Sequence, residues 1–160
     1  MTKSETMSVD KSQITLGESY SRLIVKSEFD TQTELQLDFI NDVASHYGGY
    51  LDHPEAGKID GWENILTNKL TALFRSEPKD MVDIWMIANN QSFKWEEIVL
   101  AAKSKEVGIE PDILNRILKS FPISSLDTIK WVKKPDPSEF SSDINCMAED
   151  ILYGSQNSLH

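Results

Sequence analysis

The sequence predicts an α+β fold, with a small N-terminal β-hairpin or sheet remnant followed by a helical bundle of about five helices. Three observations carry this reading. Before residue 41 the apolar residues alternate with period 2, and after Asp60 they recur at helical spacing. Between the two regimes, residues 46–61 hold four of the seven glycines and a proline, a composition that reads as a loop. Finally, Pro78, Pro111 and Pro137 each stand at the start of an amphipathic stretch, where proline suits the first helical position. At 160 residues, with 39% hydrophobic and 26% charged, the chain has the size and composition to bury a core.

Taken in order, residues 1–17 are polar and are expected to form a flexible tail. Tyr20–Val25 is rich in residues that favour a pleated surface. Glu34–Ile40 alternates, so Leu35, Leu37 and Phe39 share one face, and Gln36, Asp38 and Ile40 the other. Two strands alone are marginal in water, so the hairpin needs a further layer. After the loop, Asp60-x-x-Glu63 resembles a capping box, and Trp62, Ile65, Leu66, Lys69, Leu70 and Leu73 define a first helical stripe. A second helix starts at Pro78 and stops at Asn89-Asn90; a third carries Trp95, Ile98, Val99 and Ala102. The fourth begins at Pro111 and ends before Pro122. Asp136-Pro-Ser-Glu139 opens the last, whose stripe is Phe140, Ile144, Met147 and Ile151. Residues 18–155 are thus expected to form one α+β domain, with 156–160 as a short tail.

Composition excludes several classes. No apolar run approaches the roughly 18 residues of a membrane span, and the N-terminus lacks a signal-peptide core. A single cysteine, Cys146, beside the last apolar stripe, rules out an internal disulfide framework and suits a core position. These features predict a cytoplasmic protein with no membrane partner. The formal charge of −10 argues against strong non-specific binding to nucleic acid. There is no dinucleotide fingerprint, phosphate loop, nucleophile elbow or zinc-protease motif.

A few polar residues invite chemistry. Asp38 is a carboxylate within an otherwise apolar strand, costly unless paired, solvated or meeting a cation. Lys69 lies in register with an apolar stripe, from which it can snorkel to water or reach an acid or a phosphate. In Arg75-Ser-Glu-Pro-Lys79-Asp80-Met-Val-Asp83, Lys79 and Asp83 share a helix face, as do Asp80 and Asp83, and acids there also suit the helix dipole without any function. His46 and His53, with Asp42 and Asp52 nearby, match no specific metal-ligand spacing.

Three runs in this order, Leu35-Gln-Leu-Asp38-Phe-Ile-Asn-Asp42, Glu63-Asn-Ile-Leu-Thr-Asn-Lys69-Leu-Thr-Ala-Leu73 and Arg75-x-x-Pro-Lys79-Asp80-x-x-Asp83-Ile-Trp85, resemble the AbiEii/AbiGii-type nucleotidyltransferases, toxins of toxin–antitoxin and phage-defence systems within the polymerase-β-like superfamily. The resemblance covers roughly residues 20 to 120. It implies a third metal-binding carboxylate at Asp38 and a phosphate-contacting lysine at Lys69. It also implies a helical acid at Asp80, with Asp83 as second choice, and a basic residue at Lys79, where arginine is common. It would place Asp38, Lys69 and Asp80 around one triphosphate.

In that family a Gly-Ser turn followed by Asp-x-Asp or Asp-x-Glu supplies two further carboxylates; neither Asp-x-Asp nor Asp-x-Glu occurs in this sequence, and no Gly-Ser turn precedes Asp38. Two-metal transfer needs several carboxylates to hold its ions, so the chain unaided is not expected to transfer a nucleotide. The expectation is therefore a nucleotidyltransferase-like protein that moves NMP from an NTP to an RNA or protein acceptor only with a partner. That partner would be a second polypeptide bearing the missing motif, with Mg²⁺ and NTP as cofactors. An antitoxin is a further possible partner. The alternative is a non-catalytic binding or regulatory module, or a domain with no role beyond folding. Without a partner, apolar surface near residues 20–40 should drive self-association into a homo-oligomer.

Overall fold

The computed structural model describes residues 7–27, 34–41 and 45–160. The fold is α+β, and the chain divides into two compact units, Met1–Ala44 and Ser45–His160, where one domain was expected.

The first unit is an antiparallel sheet in the order β1-β2-β3, with β1 at Met7–Val9, β2 at Tyr20–Ser27 and β3 at Glu34–Ile40. The expected hairpin is therefore present and carries a third strand. The flexible-tail reading of residues 1–17 is corrected where the structure describes them. Met7 pairs with Ser27 and Val9 with Val25, and Asp10 caps a 3₁₀ turn over Lys11–Gln13. Polar composition concealed this strand, because one apolar face of three residues is too short to show a period. Asp38 lies across from Arg22 and Leu37 across from Leu23.

In the second unit, the stretch read as a loop contains a two-stranded hairpin, β4 at Tyr50–His53 and β5 at Gly57–Asp60. Its turn is held locally. His53 Nδ1 accepts from the backbone N–H groups of Glu55 and Ala56 at 3.3 and 3.1 Å, and Gly57 takes φ 74°, a conformation that favours glycine. Five α-helices follow among the described residues: α1 Trp62–Ala72, α2 Pro78–Asn90, α3 Trp95–Lys105, α4 Pro111–Lys119 and α5 Pro137–Tyr153. None is long and apolar enough to cross a membrane.

Helix ends follow local chemistry, with one correction. The α1 N-cap is Gly61 with no side-chain cap, so the Asp60/Glu63 capping box does not form. A Cβ at Gly61 would approach the Gly49 carbonyl oxygen to 2.9 Å, so this position excludes a side chain, and Asp60 is engaged elsewhere. Asp136 does cap α5, accepting from the N–H groups of Ser138 and Glu139 at 2.9 and 3.1 Å. Such a cap gives partners to N–H groups that the first helical turn leaves unsatisfied.

The core gathers one stripe from each helix. Leu66, Leu70, Ile84, Trp95, Ala102, Leu114, Phe140, Met147 and Ile151 are all essentially buried. The C-terminal tail expectation at 156–160 is also corrected. Asn157 is buried and donates to the carbonyls of Ala88 and Gln91 at 2.7 and 2.8 Å, which ties the chain end to the C-terminus of α2.

Candidate functional site

The helical unit brings Lys69, Asp80 and Asp83 together. Helix α1 ends in a 3₁₀ turn at Leu73–Arg75, and Ser76 then adopts φ 56°, reversing the chain. Pro78 opens α2 with its φ already preset, so the first turn of α2 returns beside the last turn of α1. Lys69 Nζ lies 2.7 Å from Asp80 Oδ1 and 2.6 Å from Asp83 Oδ2. The Asp80 side chain is 6% exposed, that of Lys69 26% and that of Asp83 44%. The acids thus hold the ammonium from a buried side and a wet side. Burial works against the Lys69 charge, but the hydrogen bonds that Lys69 donates to both carboxylates outweigh it and raise the Lys69 pKa above its ordinary value.

Lys79, one residue before Asp80, is exposed and lines a shallow surface pocket with Glu77, Pro78, Thr128, Ile129 and Lys130. The site therefore offers an ammonium with one open side, with Lys79 on the neighbouring surface. An incoming anion would compete with Asp83 before Asp80, because Asp83 is the more exposed of the two acids.

Asp38 belongs to the other unit and has partners of its own. Its Oδ1 accepts from Tyr20 Oη at 3.0 Å and from Arg22 Nε at 2.7 Å. Its Oδ2 accepts from Arg22 Nη2 at 3.2 Å and Gln36 Nε2 at 2.8 Å. The Arg22 guanidinium is the main reason the Asp38 carboxyl is pulled down to about 2, with Gln36 and Tyr20 assisting against partial desolvation.

The sign of the linked stability follows from this depressed pKa. The unfolded chain binds a proton to Asp38 near pH 3.8 while the folded chain resists, so the pair stabilises the sheet above that pH. The contribution is lost as pH falls toward 2. Amide protection across β2 and β3 should accordingly fall between about pH 4 and 2, by a modest step because solvent screens the exposed pair, and the step should be smaller in Asp38→Asn. Asp10, held low chiefly by Lys26 in the same sheet, titrates in the same direction, so the difference between the two proteins isolates Asp38. An acid step of unchanged size in Asp38→Asn would refute the assignment.

The residues do not fit Mg²⁺ as they stand. A cation at Asp38 must displace a guanidinium, and no group of three His, Cys, Asp or Glu side chains is placed to hold a metal among the described residues. His53 serves its own turn, His46 pairs with Asp60, and Asp42 lies outside the described residues. Cys146 is half-buried, and desolvation pushes its thiol pKa up, the opposite of an activated nucleophile.

A polar network escaped the sequence reading. His46 Nε2 lies 3.1 Å from Asp60 Oδ1 and its ring stacks on Tyr50 at 4.0 Å. Asp60 Oδ2 accepts from Asn64 Nδ2 at 2.9 Å, while Asn64 Oδ1 accepts from the Tyr47 N–H at 3.0 Å and from Lys105 Nζ at 2.6 Å. Lys105 also donates to Asn68 Oδ1 at 2.7 Å. The available signal was Asn64 and Asn68, two amides four apart beside the α1 apolar stripe, a spacing that puts both on one face toward α3. The network ties the loop before β4, the end of β5, α1 and α3 together.

No family model matches the sequence, and no curated protein matches it. Among solved structures, the fold is similar to the crystal structure of JHP933 from Helicobacter pylori, with a TM-score of 0.56 and 18% sequence identity. The likeness covers 92% of this chain and 63% of that one, so the chain spans under two thirds of its neighbour's length, and identity this low shows a shared fold alone.

Proposed function

We propose that this chain is a nucleotidyltransferase-like protein of the AbiEii/AbiGii type whose transfer of NMP from an NTP to an RNA or protein acceptor requires carboxylates that these residues do not contain. The observation that carries the reading is the meeting of Lys69 with Asp80 and Asp83. Two sequence runs that resemble the family fall on consecutive helices, and their charged signature residues come within hydrogen-bond distance. In this reading Lys69 and Lys79 receive phosphate oxygens of the nucleotide, and Asp80 and Asp83 orient the Lys69 ammonium. Mg²⁺ and NTP would be engaged only with the missing pair supplied by a partner. No step through the metal is assigned to this chain, because Asp38 is saturated by Arg22, Tyr20 and Gln36.

A second reading, a binding or regulatory module without catalysis, draws on the same geometry. An ammonium already neutralised by two acids serves as a clamp between α1 and α2 without any ligand. One experiment separates the two. The chain is incubated with Mg²⁺ and each of four α-labelled NTPs, alone and with a candidate partner carrying Gly-Ser and Asp-x-Asp. No label should reach RNA or protein from the chain alone. Transfer with the partner, lost in a folded Lys69→Gln variant, supports the enzyme. Transfer by the chain alone overturns the proposal, and no transfer with any such partner leaves the module as the better reading.

A further inference from the structure

We propose that strand β3 is a docking edge for a second copy of this chain, pairing antiparallel to itself about Leu37 to join two three-stranded sheets into one of six strands. The proposal concerns the N-terminal unit alone and does not depend on the nucleotidyltransferase reading.

The starting point is a sheet that lacks a neighbour. Strand β3 pairs only with β2 among the described residues, and six of its seven residues, all but Leu37, are exposed. Of the described hydrophobic residues in this unit, only Ile24 is buried. Met7, Val9, Leu35 and Phe39, which lie on one face by the strand register, are 51%, 44%, 48% and 56% exposed. A sheet this small and this open is a template for strand addition. Native edges are commonly blunted by proline, a bulge or inward-pointing charge, and Glu34–Ile40 contains no proline and pairs with β2 in unbroken register.

The edge also has a defined polarity. The Asn41 N–H donates to the Ser19 carbonyl at 3.0 Å, so the odd-numbered residues of β3 bond toward β2. The N–H and C=O groups of Glu34, Gln36, Asp38 and Ile40 are therefore the ones at the open edge.

Self-complementarity selects the occupant and the register. With Leu37 on a two-fold axis, all seven residues overlap. Leu37 meets Leu37 of the second copy, Leu35 meets Phe39, Gln36 meets Asp38 and Glu34 meets Ile40. The apolar faces then run on continuously, and each Asp38 faces an amide. A two-fold at Asp38 would set Asp38 against its own copy, and one at Gln36 would set Glu34 against Asp38. Both place like charges directly opposite, which is destabilising. Registers offset by one residue turn the apolar face of one copy onto the polar face of the other. Axes at Leu35 or Phe39 also keep like charges apart but overlap fewer residues of Glu34–Ile40, so the Leu37 axis alone joins full overlap to the absence of like-charge pairs, and it makes an isologous, closed dimer.

The test uses the full chain. Sedimentation equilibrium should show a dimer. Gln36→Glu places an acid opposite Asp38 twice per dimer and should weaken association about tenfold. Gln36→Lys should tighten it at low salt, and Gln36→Pro should abolish it, since that N–H serves only the open edge. Circular dichroism confirms that each variant is folded. A positive reading comes from Leu37→Cys in a Cys146→Ser background. Leu37 would form a non-hydrogen-bonded pair with its copy, with Cα atoms about 4.5 Å apart, within disulfide range. Oxidation should therefore cross-link Leu37→Cys to itself but not Gln36→Cys. A monomer at all concentrations overturns the proposal. So does a dimer that ignores the Gln36 series, or a Leu37→Cys variant that does not cross-link.

Discussion

Replacing Phe140 with alanine should lower the folding stability of the helical unit by about 3–5 kcal/mol, the range for truncating a fully buried aromatic ring. Phe140 is 0% exposed, and its ring packs 5.1 Å from that of Trp85 and 5.8 Å from that of Phe121. The loss has two parts. The removed ring atoms forfeit their transfer free energy, and the space between α2 and α5 collapses only in part, because Trp85 is anchored by its Nε1–H donating to Asp143 Oδ2 at 2.8 Å. Trp85 closes the same run that contains Asp80 and Asp83, so the cavity opens beneath the helix that carries the candidate site. Urea unfolding should show a lower midpoint with an unchanged slope. Phe140→Leu, which restores part of the volume, should recover more than half of the loss. A Phe140→Ala cost below about 1 kcal/mol would mean that α5 is not packed on α2 in this way.

Lys69→Ala should cost about 2–3 kcal/mol, far more than loss of an exposed ion pair. Asp80 is nearly buried, and without the ammonium its carboxylate remains in low dielectric beside Asp83 with no cation between them. The cost falls short of that for a wholly buried pair because about a quarter of the Lys69 side chain reaches water. Pairing Lys69→Met with Asp80→Leu removes both charges and should regain much of the loss, giving a coupling of about 1–3 kcal/mol in a double-mutant cycle. The pH dependence has a fixed sign. The folded pKa of Lys69 is raised, so its stabilisation is complete below about 10.5 and disappears only as pH climbs through the folded value. The wild-type and Lys69→Ala stabilities should converge in alkali and remain apart at neutral pH. A uniform gap up to strongly alkaline pH would remove the ion pair as the cause.

Elements with enough turns to repeat a pattern were legible in the sequence. The starts of α2, α4 and α5 coincide with Pro78, Pro111 and Pro137, because a proline ring presets the φ that a first helical turn needs. The stripe in α5 buries Phe140, Ile144, Met147 and Ile151 as its spacing requires. The alternation in β3 likewise put Leu37 and Asp38 on opposite faces without reference to any neighbour. Such features depend on backbone geometry alone, which each segment carries in itself.

What only the tertiary structure decided depends on partners distant in the chain. Strand β1 exists because β2 offers it a ladder, although Met-Ser-Val is too short to show a period. Asp60 and Glu63 have capping-box spacing, yet Gly61 takes the cap because the backbone of Gly49 comes too close for a side chain and Asp60 is drawn to His46 and Asn64. Asn157 looked like tail until the end of α2 supplied two carbonyls for its amide. Lys69 could be placed by its position in a stripe, but its meeting with Asp80 required the reversal at Ser76, a φ of 56° that serine does not announce. The sequence by itself determined the helices and their apolar faces, since period and cap chemistry are local; which charges meet, and which edge stays open, follows from where the chain folds back on itself.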